Sequence, residues 1–331
     1  MSLPKISKHK NSEYTVALIC PLPEERLAAE MMLDGEDHGR EQERASNDRN
    51  VYTLGKIQGH MVVIVGLPSG EKGMASTVTV AGELGSSFPN IRFGILVGIG
   101  GGIPGAQAEN PVPDIRLGDV VVADPEGDLE GGPGIMQHDL GKMTDTGFVP
   151  IRVNYDNFPR ILRSAVGKLK TCETAQLHDL YIEPKLRMRI QKTRNKFSRP
   201  AASTDILMME GKEVVRAARQ EPGQQIDLNP EIHFGTIASG SQVIGSEKDR
   251  DVIRARNSAV LCIEMEGAAL LQCSYPYLVI RGVSDYCDSR KNDTWKYYAA
   301  IAAAACATKL LSFVHPQTVS SGFGEDVAQT G

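Results

Sequence analysis

The chain predicts an α/β fold, a mostly wound central sheet flanked by helices with hairpin additions. Three observations carry that expectation. Short apolar runs recur along the chain, among them Tyr14-Thr-Val-Ala-Leu-Ile-Cys20, Phe93-Gly-Ile-Leu-Val97 and Tyr277-Leu-Val-Ile280, and each is long enough for a buried strand but too short for a buried helix. Helical segments separate them, and strands alternating with helices build wound sheets. Two runs, 51–57 and 61–66, alternate or continue apolar around Gln58-Gly59, the pattern of a hairpin.

Element by element, the first strand is stopped by Pro21-Leu-Pro23, and a helix follows whose first turn holds Glu24 and Glu25, acids that the helix dipole favours there. After the hairpin, 73–84 reads as a helix. The strand from Phe93 runs into Gly98-Ile-Gly-Gly-Gly102, and Leu117-Gly-Asp-Val-Val-Val-Ala123 is the next strand. Residues 156–230 read as a polar helical insertion containing a stretch, 185–199, in which every charge is positive. That stretch suits either a solvated face or an anion contact, since clustered Lys and Arg focus field on phosphates. The sheet resumes at His233-Phe-Gly-Thr-Ile-Ala238 and again at Ala259-Val-Leu-Cys-Ile263. The last helix, 295–313, is rich in Ala, the strongest helix former. Residues 1–13 read as a flexible start and 314–331, rich in Ser, Gly, Thr and Gln, as a disordered tail.

Composition removes several functions. Net charge is −5 at pH 7, which argues against a general nucleic-acid binder with a basic face. No apolar run approaches the roughly 20 residues that cross a bilayer, and 1–12 lacks the apolar core of a secretory signal. The six cysteines are scattered, without the paired spacings of a zinc site or a disulfide framework. A cytoplasmic protein without membrane or nucleic-acid partners is expected.

The chemistry concentrates where strands end. Arg281-Gly-Val-Ser-Asp285 closes one buried strand and Glu264-Met-Glu266 follows another, so two acidic clusters reach the carboxyl edge of a sheet, where ligands bind in open α/β folds. Gly100-Gly-Gly-Ile-Pro-Gly105 formally fits a dinucleotide fingerprint, but such a site needs a helix to start there, and Pro104, Pro111 and Pro113 forbid one. Gly100 and Gly101 instead let backbone approach a ligand closely. Gln137-His-Asp-Leu-Gly-Lys142 is a further polar loop that could touch a ligand.

Taken in order, Pro21-Leu-Pro-Glu-Glu25, the glycines 98–102, Arg116-Leu-Gly-Asp-Val-Val-Val-Ala-Asp124, Ala238-Ser-Gly-Ser-Gln-Val-Ile244, Glu264-Met-Glu-Gly267 and Arg281-Gly-Val-Ser-Asp285 resemble the purine/uridine phosphorylase superfamily. The likeness is greatest to its methylthioadenosine/S-adenosylhomocysteine nucleosidase branch. The variant Asp288-Ser-Arg-Lys-Asn-Asp-Thr-Trp295 looks like the nucleoside phosphorylase-like domains of fungal multidomain proteins. The resemblance runs over 14–313 and implies a single-domain nucleoside phosphorylase-like fold with a mixed central sheet flanked by helices.

What the resemblance implies for chemistry is hydrolysis of the N-glycosidic bond of an adenine nucleoside, or of a nucleotide such as ATP, with water as co-substrate. A purine leaves well only when protonated at N7, so an acid beside it is needed; by similarity that acid is Asp285, oriented by Ser284. Glu266 would grip the ribose hydroxyls with Met265 against the sugar, and Glu25 matches the position of a general base for water. Arg281 would support the wall of the site or reach a phosphate, and Phe234 and Val243 would line the base pocket. Lys142, Arg187 and Arg194 are the expected phosphate contacts. No metal or cofactor is implied, and a homo-oligomer is. Two rivals stay open. The phosphorylases hold phosphate with an Arg and a Ser after the central strand, which Leu96-Val-Gly-Ile99 lacks, so a phosphorylase would have to recruit Arg26 or Lys72 instead. A nucleoside-sensing module without turnover, part of a longer protein, is the other.

Overall fold

The computed structural model describes residues 5–104, 114–124, 134–145, 147–151, 159–172, 176–216, 219 and 229–320. A short 3-10 turn (Asn11–Glu13) precedes β1 (Val16–Ile19) and α1 (Pro23–Met31). The hairpin β2 (Tyr52–Ile57) and β3 (His60–Val65) leads to α2 (Met74–Ser87), β4 (Phe93–Gly102), β5 (Val120–Ala123) and β6 (Ile135–Gln137). A small hairpin, β7 (Gly141–Thr144) and β8 (Gly147–Pro150), comes before α3 (Arg160–Lys170), α4 (Glu183–Arg187) and α5 (Gln191–Phe197). A further hairpin, β9 (Ile206–Met209) and β10 (Lys212–Val215), is followed by β11 (Ile232–Ser239), α6 (Glu247–Arg256), β12 (Val260–Glu264) and α7 (Gly267–Leu270). The chain then forms β13 (Tyr277–Asp285), α8 (Lys296–Leu311) and α9 (Pro316–Ser320).

The central sheet has nine strands in the order β12-β11-β5-β13-β4-β1-β3-β2, with β6 beside β11. It is mixed. Strand β4 runs parallel to β1 and β13, while β13 is antiparallel to β5. A last pairing, Cys262 with Gly102 and Ile263 with Gly101, joins β12 back to β4, so β12, β11, β5, β13 and β4 close on themselves. Closure covers the free edge of β12, leaving one fewer unpaired edge, and brings the ends of β4, β12 and β13 together. The hairpin turn at Gln58 (φ 50°) and Gly59 (φ 77°) takes positive φ at both positions, the geometry that matches strand twist.

Helix α8 explains its own composition. It lies on β13 and β4, and most of its residues from Tyr298 to Leu311 are buried. Alanine favours the helix, and its small side chain also lets the helix axis come close to the sheet. At Gly282 a Cβ would stand 1.9 Å from the carbonyl oxygen of Ala299.

Three expectations change against the structure. Within 156–230 the described residues include the hairpin β9–β10 as well as helices; its polar, exposed β10 strand hid the alternation. Part of the segment 314–320 is packed: Val314 and Val319 are buried, and His60 Nε2 lies 2.9 Å from the Val314 carbonyl oxygen. Only 321–331 of the expected tail lies outside the described residues. At the other end, Ser7 and Asn11 are buried and Asn11 Nδ2 donates to the carbonyl of Ser87 at 2.9 Å.

Replacing Gly282 with Ala should cost about 2–3 kcal/mol, the scale of overpacking against backbone that cannot move freely, read as a lower denaturation midpoint. Gly167 in α3 has nothing within 4 Å of an added Cβ. Its replacement by Ala should be neutral or raise the midpoint, by up to about 1 kcal/mol of helix propensity.

Candidate active site

Sheet closure places one guanidinium beneath three carboxylates. Arg281 projects from the middle of β13 and is 1% exposed. Its Nη2 donates to Glu264 Oε2 in a short ion pair and to Glu266 Oε2 at 3.1 Å, while Nη1 stands 4.0 Å from Glu25 Oε1. Gly98, opposite Arg281 across the β4–β13 pairing, has to be Gly: a Cβ there would meet Arg281 Nη1 at 2.2 Å and Glu25 Oε1 at 2.6 Å.

Each carboxylate is also held by backbone. Glu25 sits in the first turn of α1, where the Pro21-Leu22-Pro23 corner leaves β1. Its Oε2 accepts from the Leu22 amide at 2.6 Å and its Oε1 from the Ile99 amide at 2.7 Å. Glu264 ends β12 and accepts the amides of Glu266 and Gly267 at 3.0 and 2.9 Å, so it caps α7 and serves structure. Glu266 Oε1 accepts from the Gly73 amide, at the start of α2, at 3.0 Å. Asp285 ends β13; its Oδ1 accepts from the Cys287 amide at 2.9 Å, and its Oδ2 lies 2.9 Å from Ser284 Oγ and 3.2 Å from Lys291 Nζ. Cys287 takes φ 52°, an uncommon conformation for a residue with a side chain. Its thiol fills the space over Gly101, where a Cβ would be 2.0 Å from the sulfur.

A cavity of about 310 Å³ opens above this floor. Glu25, Gly100, Gly101, Val243, Met265, Glu266, Ser284 and Asp285 line it, and Arg281 lies under it through the Glu266 pair. The other expected residues stand elsewhere. Phe234, in β11, turns its ring toward Lys170, whose ammonium is 5.9 Å from the ring centre, and no residue of β11 lines the cavity. Lys142 is exposed on β7. Arg187 and Arg194 both pair with Glu183, at 2.9 and 3.6 Å. Nearby, Lys185 donates to the Leu33 carbonyl and the Arg199 guanidinium stacks over Trp295 at 5.3 Å. The basic stretch therefore braces α1 and α8 and does not line the cavity. In the polar loop 137–142, His138 is buried under Gly240, a packing position.

Sequence reasoning passed over Ile99, Gln242 and the lysines at 291 and 296, all of which line the cavity, and named Lys72 only for a rival. A usable signal existed: Asp288-Ser-Arg-Lys-Asn-Asp-Thr-Trp295 begins three residues after Asp285 and is polar throughout its first six residues. Arg26, the other cation named for phosphate, pairs with Glu30 at 2.9 Å and Thr53 at 3.0 Å.

The cluster sets its own proton content. One guanidinium faces three buried carboxylates, and burial holds two of them, Glu25 and Glu266, above the usual carboxylate range. Burial pushes the Glu25 carboxyl up to about 8, against the opposing pull of Arg281 and of the Leu22 and Ile99 amides. Burial also raises Glu266, with Glu264 adding to the push and Arg281 opposing it. Burial works against the Arg281 charge, yet Glu264, Glu266 and Glu25 hold the guanidinium firmly protonated.

A carboxyl raised from 4.5 to about 8 on folding contributes stability that is full below pH about 4.5 and is lost as pH rises through about 8. Glu25→Gln removes that loss. The denaturation midpoint of the variant relative to the parent should therefore climb between pH 5 and pH 9. A gap that stays constant over this range would contradict the buried, proton-holding carboxyl.

A model of the phosphorylase superfamily matches residues 15–315. The chain is 37% identical over 316 residues to a nucleotide-binding leucine-rich repeat (NLR)-like protein of Hyaloscypha variabilis, covering 93% of this chain and 30% of that protein's length. It is 24% identical over 305 residues to a 5'-methylthioadenosine/S-adenosylhomocysteine nucleosidase of Mycobacterium bovis, covering 90% of this chain and 95% of that one. Its fold is similar to the crystal structure of a Streptococcus pneumoniae MTA/SAH nucleosidase in complex with 8-aminoadenine, with a TM-score of 0.55 and 19% identity over 91% of this chain and all of the other. No helix among the described residues is long and apolar enough to cross a membrane. The superfamily match takes in every strand and helix that builds the cavity, and the chain belongs to the phosphorylase superfamily.

Proposed function

We propose that the protein hydrolyses the N-glycosidic bond of adenine nucleosides or nucleotides, releasing free adenine and the ribosyl product. The observation that carries this reading is the convergence of Glu25, Glu266 and Asp285 on one cavity, with Glu25 buried and raised to about 8. The near full-length likeness to the Mycobacterium bovis nucleosidase supports it.

In this reading the C1′–N9 bond breaks toward an oxocarbenium-like sugar, its electron pair passing to the purine. Asp285 delivers a proton to N7, which makes the base a neutral leaving group. Glu25 accepts the proton of the attacking water; each of its oxygens takes one backbone N–H and keeps a lone pair for the water. Glu266 accepts from the ribose hydroxyls, positioned by the Gly73 amide and Arg281. Water is favoured over phosphate at the sugar because Arg281 is already shared among three carboxylates, and a dianion beside them would lack a cationic partner. Lys72, at the cavity wall and without an ion-pair partner among the described residues, favours a second reading in which a phosphate is bound, as part of the substrate or as co-substrate.

Chromatography of products from adenosine, inosine, methylthioadenosine and ATP, each with and without phosphate, separates these readings. Adenine released without phosphate is expected. Release only with phosphate would assign a phosphorylase, and no release from any of them would assign a binding module. Asp285→Asn should lower kcat by about 10²-fold or more, the usual worth of a general acid, with an unchanged denaturation midpoint. Because Glu25 must be ionised to act, kcat/KM should rise about tenfold per pH unit and level near pH 8, where the carboxyl titrates. Glu25→Gln should be slow and lack that rise.

A further inference from the structure

Lys291 is placed with more care than a surface lysine needs. Its loop is pinned on both sides. Asp288, 2% exposed, accepts from the Met208 amide of β9 and from the Arg290 amide, each at 2.9 Å. Arg290 reaches Glu213 of β10 at 3.3 Å, and Trp295 Nε1 donates to Thr204 Oγ1 at 3.0 Å. These ties hold the Lys291 ammonium 3.2 Å from Asp285 Oδ2, with its side chain 43% exposed.

The hydrogen-bond inventory around Asp285 is one-sided. The Cys287 amide and the Lys291 ammonium can only donate, so both use the carboxyl as an acceptor; Ser284 Oγ, 2.9 Å from Oδ2, has its one hydrogen to divide between that oxygen and the Gly100 carbonyl at 3.3 Å. A purine N7 is an acceptor too. Two obligate donors and a purine acceptor thus meet at one carboxyl. Lys291 is the neighbour that touches Asp285, carries a transferable proton and reaches solvent to replace it.

We propose that Lys291 supplies the proton that Asp285 passes to the leaving base; the inference rests on the hydrolytic reading above. As the C1′–N9 bond breaks and its electron pair moves to the purine, N7 takes a proton from Asp285 Oδ2 and Asp285 takes one from the ammonium. The lysine is left as a neutral amine, and the proton lost by the attacking water goes to Glu25. Charge is conserved, since one cation and one carboxylate are neutralised together. Solvent then reprotonates the amine at the open side of the cavity. Lys291 acts through Asp285 and is a positioning residue with a proton to lend.

Lys291→Ala should lower kcat for adenine release by about 10²-fold, the lower range of positioned proton transfer, while KM stays within about threefold and the denaturation midpoint does not move. Added ethylammonium should restore the rate, and tetramethylammonium, which has no N–H, should not. Lys291→Arg should remain slow, because a guanidinium keeps the charge and the contact but gives up no proton. An active Lys291→Arg, an unimpaired Lys291→Ala, or equal rescue by both ammonium ions would overturn the proposal. Asp285→Asn, run beside them, keeps the two claims apart. If it releases adenine at the parent rate, the acid assignment and this proposal both fall. If it is inactive while Lys291→Ala is not, only the lysine's role is wrong.

Discussion

The ion cluster around Arg281 is the constraint on which the rest of the site depends. A buried guanidinium with Glu264 and Glu266 in contact and Glu25 at 4.0 Å ties together β13, the end of β12 and the start of α1. Isolating any one of these charges is unfavourable. Breaking a buried pair by removing a partner typically costs about 3–5 kcal/mol, because the survivor is left uncompensated. The cluster is thus less a source of stability than a rule about which elements must meet. It also explains why β4 has Gly at position 98: a Cβ there would stand 2.2 Å from Arg281 Nη1. A side chain there would not merely crowd the site; it would occupy the volume of the charge pair.

Closure of the sheet is what allows the rule to be obeyed. Glu25 and Arg281 are separated by most of the chain, and β1 and β13 reach each other only through β4, which pairs with both. The antiparallel return of β12 onto Gly101 and Gly102 then delivers Glu264 and Glu266 from the other side. Helix α8, pressed against Gly282 of β13, fixes the height of the strand that carries Arg281 and Asp285. The cavity therefore sits where three strand ends and two helix starts converge, and its acids share one rigid frame. Preorganised polar groups of this kind need little rearrangement at the moment of reaction.

Much of this could be read from the residues. Apolar runs placed the central strands because strands buried on both faces are nearly continuously apolar. The pattern of acids directly after such runs located Glu25, Glu264, Glu266 and Asp285, since a carboxylate at a strand end has a frame behind it. Cations were harder. Lys142, Arg187 and Arg194 drew notice because they stand in basic or loop-rich stretches, yet Arg187 and Arg194 spend their charge on Glu183. Long flexible side chains reach in directions that local sequence does not encode. Lys291 and Lys296 line the cavity because the loop after β13 folds back on β9, a contact between residues some eighty positions apart. Phe234 failed for a simpler reason. Strand β11 lies between β12 and β5 and contributes no residue to the cavity lining, a placement that local sequence does not encode. The tail from 314 looked polar, but Val314 and Val319 are buried and the Val314 carbonyl oxygen meets His60 Nε2.

The two ends of the cavity differ in their traffic with water, and that difference gives the proposed chemistry its direction. Glu25 is sealed at 1% exposure behind Ile99 and the Pro21-Leu22-Pro23 corner, so its proton exchange is coupled to whatever occupies the site. Asp285 is also buried, but its lysine partner is 43% exposed and joins it to solvent. A reaction that cleaves a glycosidic bond with water takes up a proton at the base and sheds one at the sugar. The open, ammonium-bearing end suits uptake; the closed, carboxylate-rich end suits release onto a group already inclined to hold a proton. In the proposed order the proton taken up at the base is replaced from solvent through Lys291, 43% exposed, and the proton shed by water stays on the buried Glu25.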